Sequence, residues 1–445
     1  MKVFKNDKAS KGLNKQIARY VIPSMLSNVC FFLFTVIDGI FIGRGVGIDS
    51  LGAVNLVMPY VMLTAAVFQI VNIGGAAIFA VCVGKGEKEK AQHVFRVSMI
   101  FLLIAAAVLC FAGVAFTRPI CRAFGAGDTY IDMSSDYLFW YAAFIVPSGL
   151  SMCLQAFCRN DDDPALGGAS VVISTALNIF GDWYFVFPLG MGTKGAALAT
   201  GISQTAGLLV VLTHFIRRKG IIRFGRTRLD AQTIKDIALH GLPEGIGQLA
   251  TPIMTLCMNR VLVSMIGDIG VNTFSIISYV ASFTVAVFFG TSEGLQPLFG
   301  QMYGMKNEKD LKYIFRRGIK INFYGSILVT GLILLFDEQI CRLFGEDEST
   351  LAYTLSAMPK YCWGFVFMAF NVMISSYLYS TERSEYATLL NFLRSVVVSV
   401  LVILILPRIF GAGMIWYTFG ICEAIVLVIA FGLLKRSERG GIAFK

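Results

Sequence analysis

The chain has 445 residues, 56% of them hydrophobic and 15% charged, with a mean hydropathy of +0.70 and a formal net charge of +10. Soluble domains carry about 25% charged residues, so the composition excludes an ordinary soluble domain and points to an integral membrane protein. The positive charge lies in short loops between oily runs, a pattern that fits membrane topology and leaves no phosphate-binding face for nucleic acid.

Residues 1–15 fall in a basic, polar lead-in, MKVFKNDKASKGLNKQIAR, with no small-residue cleavage site. Apolar runs long enough to cross a bilayer, about 20 residues each, then follow at 16–42, 52–83, 94–117, 135–158, 165–188 and 195–216. A basic hinge occupies 217–238. Further runs cover 239–266, 272–303, 317–336, 355–379, 387–407 and 413–434, before a tail at 435–445. Lys and Arg concentrate in the N-terminus, GKGEKEKAQHVFR, the hinge, MKNEKDLKYIFRRGIK and KRSER, whereas the alternate loops carry few cations. Both termini and the hinge are therefore expected on the cytoplasmic side of the cell membrane.

The halves resemble each other at a nearly fixed spacing. ICRAFG at 120 recurs as ICRLFG at 340, Gly84 in its basic loop answers Gly304, and Pro23 answers Pro243, all 220 residues apart. FPLGMG at 187 meets LPRIFG at 406, a spacing of 219. An even number of spans per half makes these parallel repeats. The expected fold is all-α: twelve transmembrane helices in two six-helix lobes, 16–216 and 239–434, around a central cleft, acting as a monomer among membrane lipids. That is the architecture of a secondary transporter. No phosphate-cradling glycine loop provides for ATP, and three histidines with ten cysteines in no metal-ligand spacing argue against a metal enzyme. Most cysteines lie in oily runs, with Cys121 and Cys341 expected in loops. No cofactor is expected beyond a coupling ion, H⁺ or Na⁺.

An aspartate at mid-helix costs about 2.5–3.5 kcal/mol on insertion scales, and such residues usually face a cavity. In the first span Asn28, Phe31, Thr35 and Asp38 share one helical face; in the fifth, Ser170, Ser174, Asn178 and Asp182 step by four; in the sixth, Thr200 and Gln204 repeat that step. These stripes converge only inside the first bundle, although for serine and threonine back-bonding to the helix competes with that reading. The second half differs. Met258 stands opposite Asp38 in the repeat and Leu401 or Val402 opposite Asp182. Instead it offers Glu293, Glu423 and a neutral stripe of Gln248, Thr251, Thr255 and Asn259. Arg394 is placed to pair with Glu423, and Arg260 to snorkel outward. Gly290 and Gly294, flanking Glu293, are expected to leave room for a ligand or ion.

The stretches IPSMLSNVCFFLFTVIDGIFIGRGVG, GGAAIFAVCVGKGEKEKA, LNIFGDWYFVFPLGMGTKGAALATGISQ, GLPEGIGQ and EGLQPLFGQMYGMKN, in this order, resemble the multidrug and toxic compound extrusion family along essentially the whole chain, and its bacterial exporters most. The resemblance implies a proton or cation site at Asp38, Asn178 and Asp182, with Thr200, the residues the stripes had selected. It also implies export of amphipathic, mostly cationic organic compounds in exchange for H⁺ or Na⁺. Relatives that place a carboxylate pair in the seventh and tenth spans have no match here, where Thr255, Asn259 and Asn371 stand. Glu293 is the candidate substitute, for substrate or a second coupling ion, with Asn28, Thr35, Gln204, Asn259 and Asn371 as further cavity groups. A lipid-linked-precursor flippase is the alternative. It would be expected to carry several cations in its cavity, whereas the charges in the first-half spans are acidic.

Overall fold

Apolar stretches of this length satisfy their backbone groups internally as helices, since a bilayer interior offers no water to do so. The computed structural model describes residues 7–45, 48–217, 220–343 and 348–439, and no strand occurs among them. The first lobe comprises α1 (Asp7–Gly45), α2 (Ile48–Lys85), α3 (Lys88–Ala115), α4 (Thr117–Ala123), α5 (Ile131–Ala143), α6 (Ile145–Asn160), α7 (Pro164–Val186) and α8 (Gly192–Arg217). The second comprises α9 (Ala231–Met265), α10 (Asp268–Gly304), α11 (Glu308–Leu335), α12 (Asp337–Leu343), α13 (Glu348–Cys362), α14 (Gly364–Ser380), α15 (Ser384–Phe392), a π-helical turn (Leu393–Val398), α16 (Ser399–Phe410), a 3₁₀ turn (Ala412–Tyr417) and α17 (Thr418–Arg439).

Ten described helices are long and apolar enough to span, and two further pairs make up twelve if each counts as one span. The pairs are α5 with α6, bent by 50°, and α13 with α14, bent by 40°. The runs at 135–158 and 355–379 are thus broken rather than straight. Cys121 and Cys341, expected in loops, are instead buried on the short helices α4 and α12.

The duplication is visible in how the lobes touch. Gly294 of α10 lies on the α1 backbone at Val21, and its repeat mate Gly74 of α2 lies on α9 at Gly241. Gly290 meets Met25, and the mated residues Ile70 and Gly245 meet likewise; Gly84 meets Gln301, and Gly304 meets Val81. Every pair maps onto another by a shift of 220, as a two-fold relation between parallel repeats requires. A Cβ on Gly290 would stand 2.6 Å from the Met25 Cα, and one on Gly294 would stand 2.8 Å from the Val21 Cα. These glycines therefore admit a helix backbone, as small residues do at membrane-helix interfaces, and not a ligand. Left-handed backbone repeats too: Gly86 with Lys306, and Asp162 with Glu382.

All these contacts lie at the end of the bundle where α1 begins and α2 finishes. Farther along, Phe32 still meets Phe283 of α10, but Phe41 packs on Phe187 of its own lobe. The hinge is tied down separately. Buried His214 is flanked by Asp161 at 3.0 Å and Asp163 at 3.3 Å, and Asp161 accepts the backbone N–H groups of Ile221 and Ile222.

Candidate functional site

Close packing of small residues assembles the first cluster. Gly168 of α7 rests against Pro23 of α1, and Gly181 of α7 against Ala199 of α8, each at a spacing that a Cβ would shorten to 3.0 Å. Two polar faces of α7 therefore look onto α1 and α8. Asp38 and Asp182 come within hydrogen-bonding reach of each other, with Asn178 beside Asp182. The Asn178 Nδ2 lies 3.4 Å from the Thr200 hydroxyl. Asp182 and Asn178 are fully buried at 0% exposure, and Asp38 is half-buried. Tyr137 of α5, also buried, stands close enough to feel both carboxyl charges.

What distinguishes this cluster is what it lacks. Among the described residues no Lys, Arg or His pairs with either aspartate. Asp38 Oδ1, both oxygens of Asp182 and Asn178 Oδ1 are buried with no donor placed on them. Buried acceptors are normally satisfied, and two adjacent carboxylates do not both ionise in such a place. Such a pair has the chemistry to share a proton or to draw a small cation onto its oxygens.

The remaining stripe residues divide. Thr35 is exposed and donates to the Phe31 carbonyl of its own helix, so it does not join the cluster. Gln204 and Asn259 are half-buried on α8 and α9. The Thr251 side chain lies outside the described residues. Arg260 is exposed.

A second polar cluster crosses between the lobes. Glu293 lies 3.3 Å from the Arg159 guanidinium at the end of α6 and accepts from Asn28 Nδ2 at 3.1 Å. Glu293 is therefore already paired, by cation and amide of the opposite lobe. Glu423 pairs with Arg394 at 2.8 Å, the contact expected from the sequence. Asn371 donates to the Glu423 carboxylate at 2.7 Å and to its carbonyl at 2.9 Å, so it braces that pair instead of lining an open site. Glu244, in the GLPEG turn of α9, faces both Glu293 and Arg394. Sequence reasoning missed Glu244 and Arg159. The signal for Glu244 was a carboxylate next to Pro243, near the start of an apolar run. Below this cluster, Asn160 Nδ2 donates to Gln296, and Lys85 pairs with Glu382 at 3.0 Å, again across the lobes. No cluster of three or more His, Cys, Asp or Glu side chains that could hold a metal ion occurs among the described residues.

The chain is similar along nearly its whole length to known proteins. The chain is 23% identical over 448 residues to the probable multidrug resistance protein YoeA of Bacillus subtilis, covering 96% of this chain and 94% of that one. It is 22% identical to the multidrug export protein MepA of Staphylococcus saprophyticus, with 95% and 94% covered. Among solved structures it superposes on a MATE transporter in complex with MaL6 at a TM-score of 0.89 and 25% identity, covering 94% and 95% of the two chains. On the outward-facing form of a multidrug resistance MATE transporter the TM-score is 0.89 at 24% identity, with 97% of both chains covered. The MatE sequence profile matches residues 23–184 and again 243–405, once per lobe. This chain belongs to the MATE (MatE) family of multi-pass membrane transporters.

Proposed function

We propose that the protein exports amphipathic, mostly cationic organic compounds in exchange for H⁺ or Na⁺, and that the coupling ion binds at Asp38 and Asp182 with Asn178 and Thr200. One observation carries the assignment of the site: two facing carboxyls, three of whose oxygens are buried with no donor placed on them and neither of which has a cation among the described residues. An ion entering from outside neutralises the pair. Neutralised, α1 is free to repack about Pro23, around which Gly168 of α7 is seated. A cationic substrate and the ion then compete for the same negative charge, so each favours a different state, which is what exchange requires. The names of the relatives, a multidrug export protein and a probable multidrug resistance protein, support this class of cargo. The flippase alternative calls for cations free to hold a pyrophosphate, whereas Arg159 and Arg394 are each engaged by a glutamate.

The test is export of a fluorescent organic cation from proteoliposomes under separately imposed pH and Na⁺ gradients. Asp38→Asn and Asp182→Asn are each expected to abolish gradient-driven export while expression and folding persist. Wild-type rates in either variant would make that aspartate structural. The same reading places both termini and the hinge in the cytoplasm. Cysteines introduced at Ser10 and Arg226 should resist an impermeant thiol reagent applied to intact cells, and ready labelling would invert the topology.

A further inference from the structure

In the first lobe, α3, α6 and α8 leave a furrow between them that the hinge closes at one end. Its volume is about 230 Å³, less than the about 300–1,000 Å³ of pockets for drug-sized ligands. Leu103 of α3, Leu150 and Leu154 of α6, and Leu208 and Leu212 of α8 form its walls. Phe224 and Gly225 of the hinge roof it, and Arg96 of α3 is the one charged residue among the described residues that line it. None of these belongs to the second lobe, and Leu103 and its neighbour Leu209 are exposed, so the furrow opens on lipid. It is polar at one end only. Leu103 lies seven residues beyond Arg96 along α3, about 10 Å at 1.5 Å per residue.

The hinge is fastened over the polar end by that same cation. Arg96 Nε donates to the Arg223 carbonyl at 3.1 Å, Nη1 to the Arg226 carbonyl at 3.3 Å, and Nη2 to Gln92 at 3.0 Å. A guanidinium has five donors, so two remain. Gly225 lies close on the guanidinium: a Cβ there would stand 3.0 Å from the Arg96 Cζ. Phe224 stacks on Phe215 of α8 at 4.2 Å, yet it is 54% exposed. Charge around the roof is one-sided. Residues 217–230 hold six Lys or Arg and one acid, Asp230, which is taken by His93 and the start of α9. Arg226 and Arg228 are exposed, and no carboxylate pairs with either among the described residues. Basic residues are ordinary in a cytoplasmic loop. A basic roof on an apolar furrow is not.

We propose that the furrow seats one anionic phospholipid, with an acyl chain along the leucines and Arg96, Arg226 and Arg228 offering donors to the phosphate. Free phosphate would leave the leucine walls uncovered, and a zwitterionic lipid would bring an ammonium to a positive surface. Basic pockets between membrane helices take anionic headgroups on the cytoplasmic side, where the proposed topology puts the hinge. The lipid supplies acceptors to the segment that joins the lobes and so tethers it to the membrane. This seat involves neither Asp38 nor Asp182 and goes beyond the exchange reading.

The test uses full-length, delipidated protein in a neutral detergent, where the outcome does not depend on topology. Phosphatidylglycerol and phosphatidylcholine of the same acyl composition are added, and bound lipid is counted by native mass spectrometry. One phosphatidylglycerol should bind in preference to phosphatidylcholine. The double variant Arg226→Gln, Arg228→Gln should weaken that binding about thirtyfold, the loss expected for two cations near a lipid phosphate. Leu208→Trp fills the furrow while leaving every cation in place, and it should remove the preference as well. Equal binding of the two lipids, or a preference that survives either variant, overturns the proposal. So does displacement of the lipid by inorganic phosphate at the lipid's own concentration, which would mark an anion site without a seat for the chain. The arginine changes lie on the surface, so they keep the test decisive if Leu208→Trp fails to fold. Wild-type export by Asp38→Asn or Asp182→Asn would sink the first-lobe assignment and leave this result standing.

Discussion

The two lobes share a backbone and differ in how the carboxylates of their spans singled out by the sequence are partnered. In the first, Asp38 and Asp182 face each other with no cation among the described residues; in the second, Glu293 and Glu423 each have an arginine at 3.3 and 2.8 Å. Repeat mates make the contrast sharper. The mate of Asp38 is Met258, buried at 3% exposure, and that of Asp182 falls on the aliphatic Leu401 or Val402. In the other direction, 220 residues back from Glu244, Glu293 and Arg394 stand Ser24, Ile73 and Ser174, all buried and all uncharged. Duplication therefore preserved glycine contacts and turn geometry, while the charges of one lobe are not repeated in the other. Paired charges hold structure; the unpaired ones are available to exchange ligands.

That contrast is broken most directly by comparing stability with transport for equivalent changes. Asp182→Asn is expected to lose all gradient-driven export yet keep or raise the melting temperature, because it removes an ionisable group that burial penalises. Arg394→Leu should do the reverse to stability, costing about 3–5 kcal/mol because Glu423 is left as an uncompensated buried charge. Restoring neutrality with Glu423→Leu in the same chain should recover most of that loss. Thermal melting in one detergent measures all three. A destabilised Asp182→Asn protein, or a stable Arg394→Leu protein, would erase the distinction between the lobes.

A smaller effect is expected at the pair that joins them. Arg159 and Glu293 are each 12% exposed by side chain, so water reaches the contact and Asn28 remains to hold the carboxylate. Arg159→Gln should weaken the closed end by about 1.5–3 kcal/mol, the range for hydrogen bonds to charged groups. Faster hydrogen exchange over residues 290–304 of α10, where α1 is seated, would report it. Unchanged exchange there would show that the glycine contacts close this end without the ion pair.

The first-lobe cluster was legible because charge inside an apolar helix is costly and therefore rare. Asp38 and Asp182 stood out from their surroundings, and the four-residue steps of α7 and α8 placed Asn178, Asp182 and Thr200 on inward faces. The interlobe cluster was not legible. Arg159 and Glu293 are 134 residues apart in different lobes, and helical periodicity says nothing about which lobe a face will meet. Arg159 sits at a span end, where a cation reads as an ordinary flank. Gly290 and Gly294 read as empty space because the sequence does not reveal that Met25 and Val21 fill it. The stripe rule also overreached at Thr35, whose hydroxyl turns back onto the Phe31 carbonyl, the alternative that short polar side chains always have. The bends between α5 and α6, and between α13 and α14, interrupt spans without interrupting their hydrophobicity.

The smallest predicted effect concerns the link between the lobes and not either lobe's interior. Asp230 caps α9: its carboxylate accepts the Thr233 backbone N–H at 2.7 Å and meets His93 of α3 at 2.7 Å, whose other ring nitrogen lies 2.8 Å from Thr227. The Thr233 amide first, and then His93, hold the Asp230 carboxyl down from its ordinary 3.8 to about 2. A carboxyl held low in the folded state stabilises above its unfolded value and loses that contribution as pH falls through the folded one. Hydrogen-exchange protection at residues 231–235, the first turn of α9, corrected for the intrinsic rate, should therefore stay level from neutral pH down to about pH 5 and decline only below the ordinary carboxylate range. Asp230→Asn keeps a capping oxygen but loses the charge facing His93, so it should remove the acid-side decline and lower protection only slightly. Asp230→Ala removes both and should loosen the whole segment. If protection instead falls between neutral pH and pH 5 in the wild-type protein, the first turn of α9 is held by something other than this cap.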